Sequence, residues 1–256
     1  MNIHNLKNGY IIEADSVLEQ SSIISWVIST MGQIPLIVTD PPYGKILKNA
    51  WDKTRMTQEE FSQWMIDWTN GYKETLQEGG SFYVWGGVGK KGFRPFFLYS
   101  AGVEAATGLE IKNLITWGKK RAYGVKDNYL FTREELLYMV KGKVKRFNIP
   151  LLDKERGYAE YNAKYPAKSK YLRRTNVWTD ITELFRGKIH EAEKPVGVYR
   201  IPIEAHTEKG EYVLDMFGGS GVCAEAAVSV GRKYIVIERD VKNIKKILDR
   251  LGKLGE

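Results

Sequence analysis

Tyr212-Val-Leu-Asp215-Met-Phe217-Gly218-Gly219-Ser220-Gly221-Val-Cys-Ala-Glu-Ala-Ala-Val-Ser-Val230, followed by Gly231-Arg-Lys-Tyr234-Ile-Val-Ile-Glu238, decides the fold of this chain. Tyr212–Asp215 has the length and composition of a buried strand, Val222–Val230 those of a helix, and Tyr234–Glu238 those of a second buried strand. The turn between the first strand and the helix holds three glycines, Gly218, Gly219 and Gly221. Glycines there let the backbone approach a ligand at the helix N-terminus. An acid closing the next strand can accept hydrogen bonds from both hydroxyls of a ribose. Glu238 stands twenty residues beyond Gly218, which is the spacing of such a nucleoside-binding unit. The strict G-x-G-x-x-G pattern is not present, and no Lys-Ser/Thr follows the glycines as a P-loop demands. Pyrophosphate binding is therefore disfavoured, and S-adenosyl-L-methionine, which has none, is the expected cofactor.

Leu36-Ile-Val-Thr39 is another buried strand, and Asp40-Pro41-Pro42-Tyr43-Gly44 follows it at once. That places the motif at a strand's carboxyl end, where α/β sheets carry their active sites. Two successive prolines fix φ and donate no hydrogen bond, so the Pro41 carbonyl and the Asp40 carboxylate are held as acceptors beside an aromatic ring. An exocyclic amino group could give one hydrogen to each while Tyr43 stacks on its ring, leaving the nitrogen aimed at an electrophile. A Pro-rich turn with a capping Asp is the bland alternative, and the pairing with the glycine turn and Glu238 argues against it. Together the two motifs point to methyl transfer onto an amino group.

The remaining chain alternates in the same manner. Tyr10–Ala14 reads as a strand, and Val17, Leu18, Ile23, Ile24, Val27 and Ile28 have the spacing of a helix packed by one face. Thr57-Gln-Glu-Glu60 is a capping-box start. Phe61, Trp64, Met65, Trp68, Tyr72 and Leu76 follow at helical intervals as core residues, with Gly79-Gly80 as the stop. Strands at Ser81–Trp85, Ile111–Trp117 and Leu136–Val140, and helices near Arg94–Ala101, at Val196–Ala205 and from Asp240 onward, complete an α/β pattern with a parallel-rich sheet.

The 256 residues are 43% hydrophobic, enough for a full core, which excludes wholesale disorder and suits one large domain or one domain with an insertion. No apolar run approaches the ~18 residues of a membrane span, and the first residues lack a signal-peptide pattern, so a soluble cytoplasmic protein is expected. Cys223 is the sole cysteine, and His4, His190 and His206 show no metal-ligand spacing, so neither disulfide nor metal is expected. Cys223 reads as a small packed residue, and His190 receives no chemical role.

The net charge of +8, from 39 basic and 31 acidic residues, has an address. Between Lys141 and Arg174 stand eleven basic and three acidic residues, so that segment alone carries +8 and the rest of the chain balances. Phe147, Tyr158, Tyr161, Tyr165 and Tyr171 are interleaved with it, the mixture expected where cations meet phosphates and aromatics meet bases. A solvated insertion whose tyrosines pack on the main domain is the other reading of the same composition.

The chain resembles the β-type amino-methyltransferases of DNA, in which the D-P-P-Y motif precedes the target-recognition region and the F-x-G-x-G cofactor motif. The likeness runs from about Tyr10 to Leu251. It includes Ala14-Asp15, Gly79-Gly-Ser-Phe-Tyr-Val-Trp85, Asn113-Leu-Ile-Thr-Trp117-Gly-Lys119, Glu134-Glu135 and His190-Glu-Ala-Glu-Lys194-Pro195. Where the family usually has Gly-Asp and a threonine pair, this chain has Ala14-Asp15 and Val222-Cys223.

The resemblance implies a Rossmann-like α/β fold with a mostly parallel seven-stranded sheet, one strand antiparallel, circularly permuted. It implies a single domain over residues 1–256: a catalytic half at about 10–140, an inserted target-recognition segment at 141–176, and a cofactor half at 177–256. Asp40, Pro41, Pro42 and Tyr43 would hold the target amino group. Asp215, Phe217, Gly218, Gly219, Ser220 and Gly221 would line the cofactor, Glu238 would take its ribose, Asp15 its adenine, and Lys194 with Pro195 would close the pocket. Lys164, Lys168, Lys170, Arg173 and Arg174 would contact double-stranded DNA, and relatives are often dimers.

The expected reaction is S-adenosyl-L-methionine-dependent methylation of adenine N6 in double-stranded DNA, with the base flipped from the duplex. Asp at the first motif position is the family's usual mark of adenine. Cytosine N4 in DNA, adenine in RNA, and a non-enzymatic nucleic-acid-binding scaffold are the alternatives.

Overall fold

The computed structural model describes residues 1–43, 56–87, 89–124, 126–155, 171–182 and 193–255. Its strands are β1 (Asn2–Leu6), β2 (Gly9–Glu13), β3 (Ile34–Thr39), β4 (Leu76–Gly86), β5 (Leu109–Tyr123), β6 (Phe131–Lys141), β7 (Leu151–Glu155), β8 (Tyr171–Arg173), β9 (Val177–Trp178), β10 (Tyr212–Asp215) and β11 (Lys233–Glu238). The helices are α1 (Gln20–Met31), α2 (Gln58–Tyr72), α3 (Gly89–Thr107), α4 (Val196–His206), α5 (Val222–Ser229) and α6 (Val241–Gly252). No helix among the described residues is long and apolar enough to cross a membrane.

Nine strands form one sheet in the order β1-β2-β11-β10-β3-β4-β6-β5-β9. Its central seven, from β2 to β5, match the expected sheet: β6 alone runs against its neighbours, antiparallel to both β4 and β5. The count rises to nine because β1 folds back on β2 at one edge and the two-residue β9 joins β5 at the other. The sheet does not divide where the sequence does. The N-terminal β2 pairs with β11, from the expected cofactor half, and β9 lies at the opposite edge.

The continuous apolar runs follow from a sheet covered on both faces. Along β3, Leu36 and Val38 face the core shared with α4, α5 and α6, whereas Ile37 faces that of α1, α2 and α3. Period-two alternation makes both sets obligatory, since each residue of β3 from Ile34 to Thr39 is buried. His206, closing α4, is buried against this sheet: Nε2 meets the Tyr83 hydroxyl at 2.8 Å and Nδ1 meets the Arg146 carbonyl at 2.8 Å. Burial lowers its pKa to about 4, so it is a neutral packing group at physiological pH.

Two helix boundaries differ from the periodicity. Val17 and Leu18 precede α1 because Asp15 Oδ1 accepts both of their backbone N–H groups and turns the chain; Leu18 is 86% exposed. The capping box at Thr57 and Glu60 forms as expected, yet α2 ends at Tyr72, a 3₁₀ turn spans Lys73–Thr75, and Leu76 already opens β4. Gly79 is therefore a strand residue and not a helix stop. Its φ of +74° and lack of a side chain admit the returning chain, whose Lys145 N–H donates to the Gly79 carbonyl at 3.2 Å.

Candidate active site

β3 and β10 lie side by side and parallel, so Asp40-Pro41-Pro42-Tyr43 and Met216-Phe217-Gly218-Gly219-Ser220 emerge at the same end of the sheet. Thr39 and Asp215 join the two motifs beneath the surface: the Thr39 hydroxyl donates to Asp215 Oδ1 at 2.8 Å, and the Phe217 N–H donates to the same oxygen at 3.0 Å. Burial raises the Asp215 pKa to about 7 against the lowering effect of these two donors, with Asp40 and Glu238 pushing it further up.

Above them opens a cavity of about 350 Å³. Of the residues singled out from sequence, Asp15, Asp40, Pro41, Pro42, Tyr43, Lys194, Phe217, Gly218, Gly219, Ser220 and Glu238 line it. Pro195, Asp215 and Gly221 do not line it. Pro195 is the residue preceding α4 and starts that helix. Asp215 is 1% exposed and braces the turn from below. Gly221 caps α5 at φ +79°, where a Cβ would meet Ile247 of α6 at 2.9 Å, so its part is conformational.

Glu238 is held rather than loose. Oε2 accepts the Gly219 N–H at 2.8 Å and Oε1 accepts the Asp240 N–H at 2.8 Å, while burial pushes its pKa upward against these bonds. Asp15 is similarly fixed, by Val17, Leu18 and Arg239, whose Nη1 lies 3.0 Å from Oδ2. Burial acts to raise its pKa, but the two backbone donors and Arg239 outweigh that and hold it low.

At the Asp40 end of the cavity the Tyr43 hydroxyl donates to Asp40 Oδ1, and Lys194 Nζ donates both to Asp40 Oδ2 and to the Tyr43 hydroxyl. Lys194 is thus a partner of the D-P-P-Y motif as well as a wall of the cavity. Its nitrogen also lies 3.2 Å from Glu134 Oε2 and 5.1 Å from the Trp85 ring centroid. Arg250 of α6 reaches Glu193 at 2.5 Å and Glu225 at 2.7 Å, anchoring the residue next to Lys194.

Several lining residues escaped the sequence reading. Trp64 looks like any core aromatic at helical spacing, yet it lies over the cavity with its ring centroid 6.0 Å from that of Phe217. Tyr199, Arg239, Asp240 and Asn243 also contribute, none carrying a motif signal, as does Met216 within the glycine-turn motif. Cys223 is 1% exposed, and burial drives its thiol well above the usual range, consistent with packing and not with nucleophilic chemistry.

The basic segment is less uniform than its composition. Lys164, Lys168 and Lys170, together with Gly44 and His190, lie outside the described residues. β7 and β8 form an antiparallel ribbon bracketing residues 156–170, with Arg173 exposed on it. Arg174, expected to contact DNA, has its guanidinium bidentate on Asp180 at 2.6 and 2.8 Å and 5.9 Å from the Trp178 ring centroid. Arg146 is likewise engaged, at 3.3 Å from Glu208 and 2.5 Å from Glu211.

The DNA methylase family matches residues 34–249. Among curated proteins, the chain is similar to the Type II methyltransferase M2.DpnII of Streptococcus pneumoniae, 28% identical over 239 residues, covering 84% of this chain and 81% of that protein. Among solved structures it is similar to the PvuII DNA methyltransferase, described as cytosine-N4-specific, with a TM-score of 0.70 at 19% identity over 96% of this chain and 87% of that one. The M1.HpyAVI–SAM complex gives a TM-score of 0.65 at 21% identity, covering 94% and 98%. At these identities the two structures speak to the fold alone. The family match, which runs from the start of β3 into α6, carries the assignment: the chain belongs to the DNA methylase family and is an S-adenosyl-L-methionine-dependent DNA amino-methyltransferase.

Proposed function

We propose that this enzyme methylates N6 of adenine in double-stranded DNA, acting on a base turned out of the duplex. The observation that carries this reading is the shared cavity: Asp40-Pro41-Pro42-Tyr43 forms one wall, and Phe217–Ser220 with Glu238 forms the other.

The lining fits the cofactor. Five acidic residues, Asp15, Asp40, Glu193, Glu238 and Asp240, line the cavity with two basic ones, Lys194 and Arg239. That balance suits a positively charged ligand and disfavours one bearing phosphates. Bound there, S-adenosyl-L-methionine supplies an electrophilic methyl group on a cationic sulfur. Glu238, with one backbone donor on each oxygen, keeps lone pairs aimed at ribose hydroxyls. Trp64 and Phe217 supply apolar faces, and Asp15 stands where an adenine amino group could donate.

Asp40 and the Pro41 carbonyl receive the two hydrogens of the target amino group, while Tyr43 packs on its ring. Two good acceptors hold the nitrogen lone pair toward the cofactor side of the cavity, and Asp40 then takes the proton that nitrogen sheds. A carboxylate at this position is the stronger acceptor for a poorly nucleophilic amino group, which favours adenine. Cytosine N4 is the second reading, because the matching DNA methylase family model spans N6 and N4 amino-methyltransferases alike. Calorimetric titration with S-adenosyl-L-methionine, followed by competition between duplex DNA and RNA as methyl acceptors, tests the proposal. Cofactor binding with preferential labelling of DNA supports it, and preferential labelling of RNA overturns it.

A further inference from the structure

Lys194 stands where the target amino group is expected. Its ammonium donates to Asp40 Oδ2 and the Tyr43 hydroxyl and lies 5.1 Å from the Tyr43 ring centroid. A base whose amino group engages Asp40 while its ring packs on Tyr43 needs the volume that this ammonium fills. Release into water is costly, because Lys194 is 3% exposed and a buried cation parted from its carboxylate is left uncompensated.

A second acid lies within reach. Glu134, 5% exposed, pairs through Oε1 with Lys119. Its Oε2 is 3.2 Å from Lys194 Nζ but, among the described residues, receives no hydrogen bond. A small rotation of the lysine would turn that contact into a hydrogen bond. Burial pulls the Lys194 pKa down and Asp40 pulls it back up, so the ammonium depends on having a carboxylate beside it.

We propose that Lys194 is a positioning residue that rests on Asp40 in the free enzyme and passes to Glu134 when the target base enters. Glu134 is the acid that makes Asp40 available without stranding a buried ammonium. The inference rests on Asp40 being the acceptor of the target amino group.

The test compares single-turnover methylation of unmethylated genomic DNA by the parent, Glu134→Gln, Glu134→Asp and the double variant Glu134→Gln with Lys194→Met. Glu134→Gln removes the other carboxylate within ion-pair distance of Lys194 among the described residues, so the rate falls by about tenfold or more. Removing the lysine as well unblocks Asp40, so the double variant is faster than Glu134→Gln alone. Glu134→Asp, which keeps the charge, retains more of the rate than Glu134→Gln. A parental rate in Glu134→Gln, a double variant no faster than that single one, or equal losses in the Gln and Asp variants would each overturn the proposal. Thermal unfolding midpoints close to the parent's show that the variants are folded. Loss of the underlying reading looks different: Asp40→Ala would then methylate at the parent's rate.

Discussion

The hydroxyl of Thr39 donates to Asp215 Oδ1 across 2.8 Å, joining the last residue of β3 to the last residue of β10, 176 positions apart in the chain. The bond sets the D-P-P-Y turn and the glycine turn in one frame. The acid in it is fully buried, so its protonation is linked to folding.

Between its ordinary value of 3.8 and about 7, Asp215 keeps in the folded protein a proton that the unfolded chain has released. Its contribution to stability is therefore present on the acid side and is lost as pH rises through about 7. Asp215→Asn retains an oxygen for Thr39 and Phe217 but has no such dependence. Denaturant unfolding at about pH 5 and about pH 8 should show the parent losing about 3 kcal/mol relative to this variant. A difference that does not change with pH contradicts the assignment of a raised pKa.

Asp40→Ala removes the proposed acceptor of the target amino group and frees Lys194 from a hydrogen-bond partner. The methylation rate should fall by about 100-fold or more, with the cofactor dissociation constant little changed in calorimetry. Tyr43→Ala should act in the same direction. Equal losses in cofactor binding and rate would instead move both residues to the cofactor.

Glu238→Ala takes the opposite signature. It deletes a carboxylate that holds the Gly219 N–H and faces the proposed ribose position. The cofactor dissociation constant should rise by on the order of 10- to 100-fold, since hydrogen bonds to a charged group contribute about 1.5–3 kcal/mol. An unchanged constant excludes the ribose role.

Lys164, Lys168 and Arg174 separate the two readings of the basic segment. Neutralising Lys164 and Lys168 should weaken DNA binding and reduce the slope of log affinity against log salt by about 0.9 for each lost phosphate contact. Arg174→Gln should leave that slope intact and lower the melting temperature, because its guanidinium is bidentate on Asp180. A slope that responds to Arg174 and not to the lysines would reverse this division.

The parts of the molecule that announced themselves in sequence are those where chemistry demands particular residues at fixed spacing. The D-P-P-Y stretch, the glycine turn and Glu238 needed only the knowledge that each ends or follows a buried strand. The seven-strand core was readable because strands buried on both faces are continuous apolar runs. What stayed hidden depends on long-range packing. Helical spacing could not say that Trp64 faces a cavity while Trp68 is core, because both satisfy the same period. Nor could charge counting reveal that Arg174 and Arg146 are neutralised locally, since Asp180, Glu208 and Glu211 lie outside the basic stretch. Glu134 stood out only as one of a pair before a strand, and its link to Lys194 spans two distant segments of the chain.

The most direct measurement is incubation of the protein with labelled S-adenosyl-L-methionine and unmethylated genomic DNA, followed by digestion to nucleosides and chromatographic identification of the labelled product. The account predicts N6-methyldeoxyadenosine. Label in N4-methyldeoxycytidine would contradict the choice of base, and DNA free of label would contradict the proposed reaction itself.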